Sequence, residues 1–143
     1  SDLSCPLILK GYFYGFKAVL MKIEVSNGEI ADKLTIIELK LERITDPDKL
    51  KNLRKEHAIL DEALAGFMKK NDPLYLELYR VNAGLWDIED RIRDLERNKD
   101  FGEEFIKTAR SVYFTNDLRS EIKRKINMIT GSGLMEEKSY EKY

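Results

Sequence analysis

A chain of 143 residues, 43% hydrophobic and 36% charged, is long enough for one domain with a real core and too short for two. Its 25 Lys+Arg against 26 Asp+Glu leave a formal charge of -1, which argues against a general nucleic-acid binder, whose affinity rests on a basic surface. A single cysteine, Cys5, excludes an intrachain disulfide and makes a reducing, cytoplasmic setting the expectation.

The apolar start, LSCPLILKGYFYGFKAVLM, is broken by Pro6, Lys10, Gly11, Gly15 and Lys17 and falls short of the roughly 20 apolar residues of a membrane span. It has neither a basic leader nor a small-residue cleavage site, so no signal peptide is expected. With Met21 as a start, residues 1–20 would be an upstream N-terminal extension; residues 21–143 read as a single helical domain. Alternation at Ile23 and Val25 predicts a short strand. At Ser26-Asn27-Gly28-Glu29 the pattern turns helical, and Ser26 with Glu29 has the spacing of a capping box, each side chain reaching the other's backbone N–H.

Four helical stripes follow. Ile30, Leu34, Ile37, Leu41 and Ile44 mark the first, which Thr45-Asp46-Pro47 ends; Asp46 caps the next helix and Pro47 opens it. The second runs Leu50, Leu53, His57, Leu60, Leu64 and Phe67 and stops near Asn71-Asp72-Pro73. Leu74, Leu78, Val81, Leu85, Ile88, Ile92 and Leu95 hold three heptads of the third, to about residue 98. The fourth starts near Glu103, carries Val112, Ile122, Ile126 and Ile129, and stops at Gly131. Acid-then-base pairs at i,i+4, such as Glu29–Lys33, Asp87–Arg91, Glu89–Arg93 and Glu121–Lys125, mark solvated faces. The predicted fold is all-α: a four-helix antiparallel bundle or paired helical hairpins with two long C-terminal helices, plus one short N-terminal strand. The stripes suit a coiled coil equally well, and the far ends of the long helices make a homodimer the expected assembly.

No catalytic constellation emerges. One His and one Cys leave only Cys5–His57 as a nucleophile pair, and no H-E-x-x-H, Glu-x-x-His or phosphate-binding glycine loop occurs. No catalytic residue, metal or cofactor is therefore expected. His57, inside an apolar stripe, reads as a core histidine with Asp32 and Thr35 as candidate partners; together with Glu29 and Lys33 these form one polar cluster. A second cluster lies along the third helix (Tyr79, Asn82, Trp86, Glu89) and the fourth (Tyr113, Asn116, Asp117, Arg119, Lys123). A turn near residues 100–101 would bring these flanks together, with Trp86 facing Asn116 and Tyr113, Asn82 meeting Arg119, and Tyr79 near Lys123. Such a groove is a polar network fixing register, a dimer contact, or a site for a small anionic ligand.

The stretches IEVSNGEIADKLTIIELKLERI, LWDIEDRIR, ARSVYFTNDLRSEIKRKIN and GSGLMEEKSY together resemble a family of small helical proteins of bacteria and phages known as a domain of unknown function. Its motifs match at Glu29, Asp32, Lys33, Thr35, Trp86, Glu89, Asp90, Asn116, Asp117, Arg119, Lys123, Glu136, Glu137 and Lys138. The resemblance implies a setting near surface-polysaccharide genes and no activity. A looser likeness in architecture is to the helical chorismate mutases. The expected function is a non-enzymatic helical protein binding a partner protein or a small anionic ligand. The alternatives are a small enzyme on an anionic metabolite, with Glu89 or Asp117 as acid–base group and Arg119 and Lys123 as clamp, and RNA binding through the stretch from Arg119 to Lys125.

Overall fold

The computed structural model describes strands β1 (Ser4–Leu9) and β2 (Val19–Glu24) and residues 25–143, with side chains from residue 21 onward. Four helices follow the strands: α1 (Asn27–Arg43), α2 (Pro47–Ala65), α3 (Pro73–Arg97) and α4 (Glu103–Thr130). Among the described residues the fold is all-helical apart from one antiparallel pair of strands, with Ser4 opposite Glu24 and Leu9 opposite Val19. The single strand expected at Ile23 and Val25 thus has a partner within residues 1–20, where PLIL reads as an apolar run and not as alternation. The Cys5 side chain, and with it any pairing to His57, lies outside the described residues.

Local capping sets most helix boundaries. Asp46 accepts from the N–H groups of Asp48 and Lys49, and Asp72 from that of Leu74, each with proline opening the helix behind it. Gly131 closes α4 in the left-handed conformation at φ 66°. Helix α2 ends at Ala65, well before Asn71, because Gly66 caps it; a turn then carries the chain to Asp72. Of the capping box only one half forms. Ser26 accepts from the Glu29 N–H at 3.2 Å, while the Glu29 carboxylate turns away to Lys123 at 2.8 Å.

Helix α1 touches all three other helices and is the centre of the bundle. Ile30, Ala31, Leu34, Ile37 and Leu39 are buried on it, so apolar burial extends beyond its single stripe. Around it close Leu60 and Leu64 of α2, Leu78 of α3, and Ile122 and Ile126 of α4. Each contributes about 1.5–3 kcal/mol by leaving water. The outer half of the α3–α4 hairpin extends past this core. There, beyond Leu85 on α3 and before Thr115 on α4, Leu95 and Thr108 are the buried residues.

The start of α1 abuts the end of α4. The Gly28 N–H donates to Asn127 Oδ1 at 2.6 Å, the Asn27 N–H to Ser132 Oγ at 3.1 Å, and Asn27 Nδ2 to Thr130 Oγ1 at 2.9 Å. These bonds use the helix-terminal donors that an outside anion would need. They also bring the backbones so close that a Cβ at Gly28 would stand 2.5 Å from the Lys123 carbonyl oxygen. Glycine to alanine inside a helix ordinarily stabilises by about 1 kcal/mol. Here Gly28→Ala should destabilise by about 1–3 kcal/mol through overpacking, read as a lower urea midpoint at unchanged slope.

Candidate functional site

Asp32 is a carboxylate on a helix surrounded by helices, 1% exposed. A buried charge of this kind costs several kcal/mol unless partners compensate it, and it collects partners from both other faces. Arg119 of α4 makes a two-pronged contact, Nε to Oδ1 at 2.7 Å and a terminal nitrogen to Oδ2. Asn82 of α3 donates through Nδ2 to Asp32 Oδ1 at 3.0 Å and to Thr35 Oγ1 at 2.8 Å, and the Thr35 hydroxyl donates to the Asp32 carbonyl at 2.7 Å. The hydrogen bond to Asp32 raises the Arg119 guanidinium above its ordinary value. Lys123 lies one turn further along α4, its ammonium 2.8 Å from Glu29, 3.1 Å from Glu136 and 4.0 Å from Asp32. Burial works against its charge, but the Glu29 hydrogen bond and the surrounding carboxylates win and leave it raised.

The two polar clusters expected from the sequence therefore interlock. Glu29, Asp32 and Thr35 from one meet Asn82, Arg119 and Lys123 from the other. His57 does not join them. Its Nε2 stands 3.5 Å from Glu38, in a half-exposed patch where Lys70 bridges Glu38 at 3.1 Å and Asp61 at 2.6 Å. His57 meets α1 at Glu38, about one helical turn beyond Thr35, and Thr35 faces α3 instead. Lys33 stands half-buried on α1.

The aromatic flank of α3 also departs from the expected arrangement, because it engages α1. The Tyr75 hydroxyl donates to Glu38 and that of Tyr79 to Glu42 at 2.6 Å, far from Lys123, while Trp86 lies under the Arg43 guanidinium at 5.3 Å. Burial and the Glu38 bond push the Tyr75 phenol up, and the Glu42 bond pushes Tyr79 up to about 12. Glu89 pairs with Arg93 on its own helix at 2.6 Å. Helical spacing shows that such residues share a flank; it does not show which neighbour the flank meets.

The other half of the groove, Tyr113, Asn116, Asp117, Arg119 and Lys123, lines a cleft of about 1180 Å³. Its far wall is the tail beyond Gly131, which turns back along α4. Glu136 pairs with Lys123, Glu137 with Arg124 at 3.0 Å, and the Tyr143 hydroxyl donates to Asp117 while its ring meets Tyr113 and Phe114 edge-on at 5.2 and 4.9 Å. Extended, residues 136–143 would reach about 23 Å. The α4 segment from Lys123 to Asp117 is only about 9 Å long. Residues 136–143 are thus more chain than that span needs, and the cleft lies between them and α4. The tail contributes no residue to the buried core. Sequence reading missed its return because it has no apolar period; the available signal was Glu136-Glu137 complementing Lys123-Arg124.

No His, Cys, Asp or Glu group among the described residues is placed to hold a metal, and no described helix is long and apolar enough to cross a membrane. A profile described as a family of unknown function, DUF6165, matches residues 21–143. The chain belongs to that family. No curated protein and no solved structure matches it. The family span starts at Met21, within β2, and takes in both the Asp32 network and the returning tail.

Two outcomes are expected. Arg119→Met strands the Asp32 carboxylate and should cost about 3–5 kcal/mol in urea unfolding, and Asp32→Asn in the same chain should recover part of the loss. Hydrogen bonds from Lys123 and Lys138 hold the Glu136 carboxyl below its ordinary value. Its contribution to tail docking is thus complete above the ordinary carboxylate range and is lost as pH falls through the depressed value. Amide NMR shifts of residues 134–143 should follow that release with a midpoint below the ordinary carboxylate pKa.

Proposed function

We infer that the protein is a non-catalytic helical binding module whose ligand surface is the cleft between α4 and its returning tail. The observation that carries this reading is the tail itself, anchored at Lys123–Arg124 and at Asp117 and lining with α4 a cleft of about 1180 Å³. A cleft with an aromatic wall, the Asn116 amide and a rigid helical floor has the composition of a binding site. The floor is fixed, because Arg119 and Lys123 are held from behind by Asp32 and Glu29.

The groups proposed for an enzyme do not favour that alternative. Glu89 is engaged by Arg93 and Asp117 by Tyr143, while both cations of the clamp carry carboxylates of their own. Binding therefore explains the geometry with fewer rearrangements. A surface-polysaccharide or phage setting, which the resemblance implies, belongs to the same reading, as does a cytoplasmic place, expected from the single cysteine.

A small-fragment library screened by amide NMR tests it. Hits should cluster on residues 112–124 and 136–143, and Asn116→Ala with Tyr113→Ala should weaken them at least tenfold while leaving the fold intact. Hits scattered over the surface, or gathered on the His57–Glu38 patch, would sink the reading.

A further inference from the structure

We propose that the α4 face beneath the tail is a docking site for an acidic, tyrosine-bearing segment of a partner polypeptide, and that the chain's own tail is its resident competitor. The proposal rests on the reading above for the α4 side of the cleft, and its occupant takes the place of the tail that forms the other wall.

The resident contacts show what the face recognises. At one end of this face Lys123 and Arg124 are adjacent cations, and Glu137 is the carboxylate paired with Arg124; Asp117 and Glu121 also border the cleft, so the positive charge is local to this end. Glu136 and Glu137 answer these two cations as adjacent acids. At the other anchor Tyr113 and Phe114 are exposed rings on α4, and the tail sets Tyr143 against both while its hydroxyl reaches Asp117. The recognised pattern is a pair of acids followed, after a short spacer, by a tyrosine. That pattern combines charge complementarity with an aromatic anchor, as peptide-binding faces do.

The tail is also held in a way that permits exchange. Ser132 is half-buried and every later residue is exposed, so displacement uncovers no core. Gly131, with its positive φ, and Gly133 flank the hinge, and a Cβ at either would meet nothing within 4 Å. Ion pairs at exposed positions are individually weak. Tethering compensates, because a short flexible linker presents the tail to its own groove at an effective concentration on the order of millimolar. An outside segment must therefore make better contacts than the tail, or more of them.

The test uses the whole chain with its tail released, E136Q/E137Q/Y143A, and an amidated peptide, LMEEKSYEKY, which reproduces residues 134–143. These substitutions touch no buried residue, and circular dichroism checks that the helices persist. In fluorescence anisotropy the peptide should bind the released variant at least tenfold more tightly than the wild type. It should weaken with added salt, and its amide footprint should fall on residues 113–124. A peptide with both glutamates changed to glutamine should lose at least tenfold. Equal affinity for wild type and variant, no binding up to millimolar peptide, or indifference to the glutamates would overturn the proposal. A released variant that dimerises and excludes the peptide assigns the face to a second copy and overturns it as well. Fragments that still gather in the cleft when the peptide fails would leave the binding reading standing and remove only this occupant.

Discussion

A single buried carboxylate organises the molecule. Asp32 sits where α1 is enclosed by the other helices, and it is tolerable there only because Arg119 and Asn82 arrive with their donors aimed at it. Those two residues come from different helices. The bundle therefore cannot rotate α4 about α1 without leaving a charge unpaired, a penalty larger than any one surface ion pair confers, nor α3 without losing the Asn82 hydrogen bonds. Apolar stripes alone would accept several rotations of similar burial. The Asp32 network selects one of them, as buried polar groups do when they specify register.

The same network shapes the outer surface. Lys123 and Arg119 are drawn toward the interior by Glu29 and Asp32, and this holds α4's polar flank in a fixed pose toward the tail. The core and the candidate site share side chains. Substitutions at Arg119 or Lys123 consequently act on stability and recognition together, whereas Asn116, Tyr113 and the tail residues belong to the cleft without entering the core.

How much of this was legible in the sequence depends on the range of the interaction. Caps at Asp46, Asp72 and Gly131 act within a few residues, and the helix ends they govern follow from composition. The α3–α4 hairpin was legible because a short turn fixes its register, which brings Asn82 and Arg119 to one level on Asp32. The rotation of α1 was not legible. Its apolar stripe says which side faces the core and is silent on which neighbour receives Asp32 and which receives Glu38, so two clusters were read where one network and a separate His57 patch exist. The tail was illegible for another reason: it docks by charge and one ring, and neither leaves a period in the sequence.

The contact between Gly28 and Asn127 joins positions near opposite ends of the helical domain. Helix α1 is the hub of the core, yet its first turn is finished only by Asn127, Thr130 and Ser132. On the ribosome the hub is made first and waits, with its leading N–H groups and the Asp32 charge met only by water, until α4 has emerged. The first two helices can collapse as a hairpin meanwhile. Closure of the domain is then a late, long-range event, and the unaccompanied α1–α2 hairpin is the stage at which the nascent chain has most reason to need a chaperone.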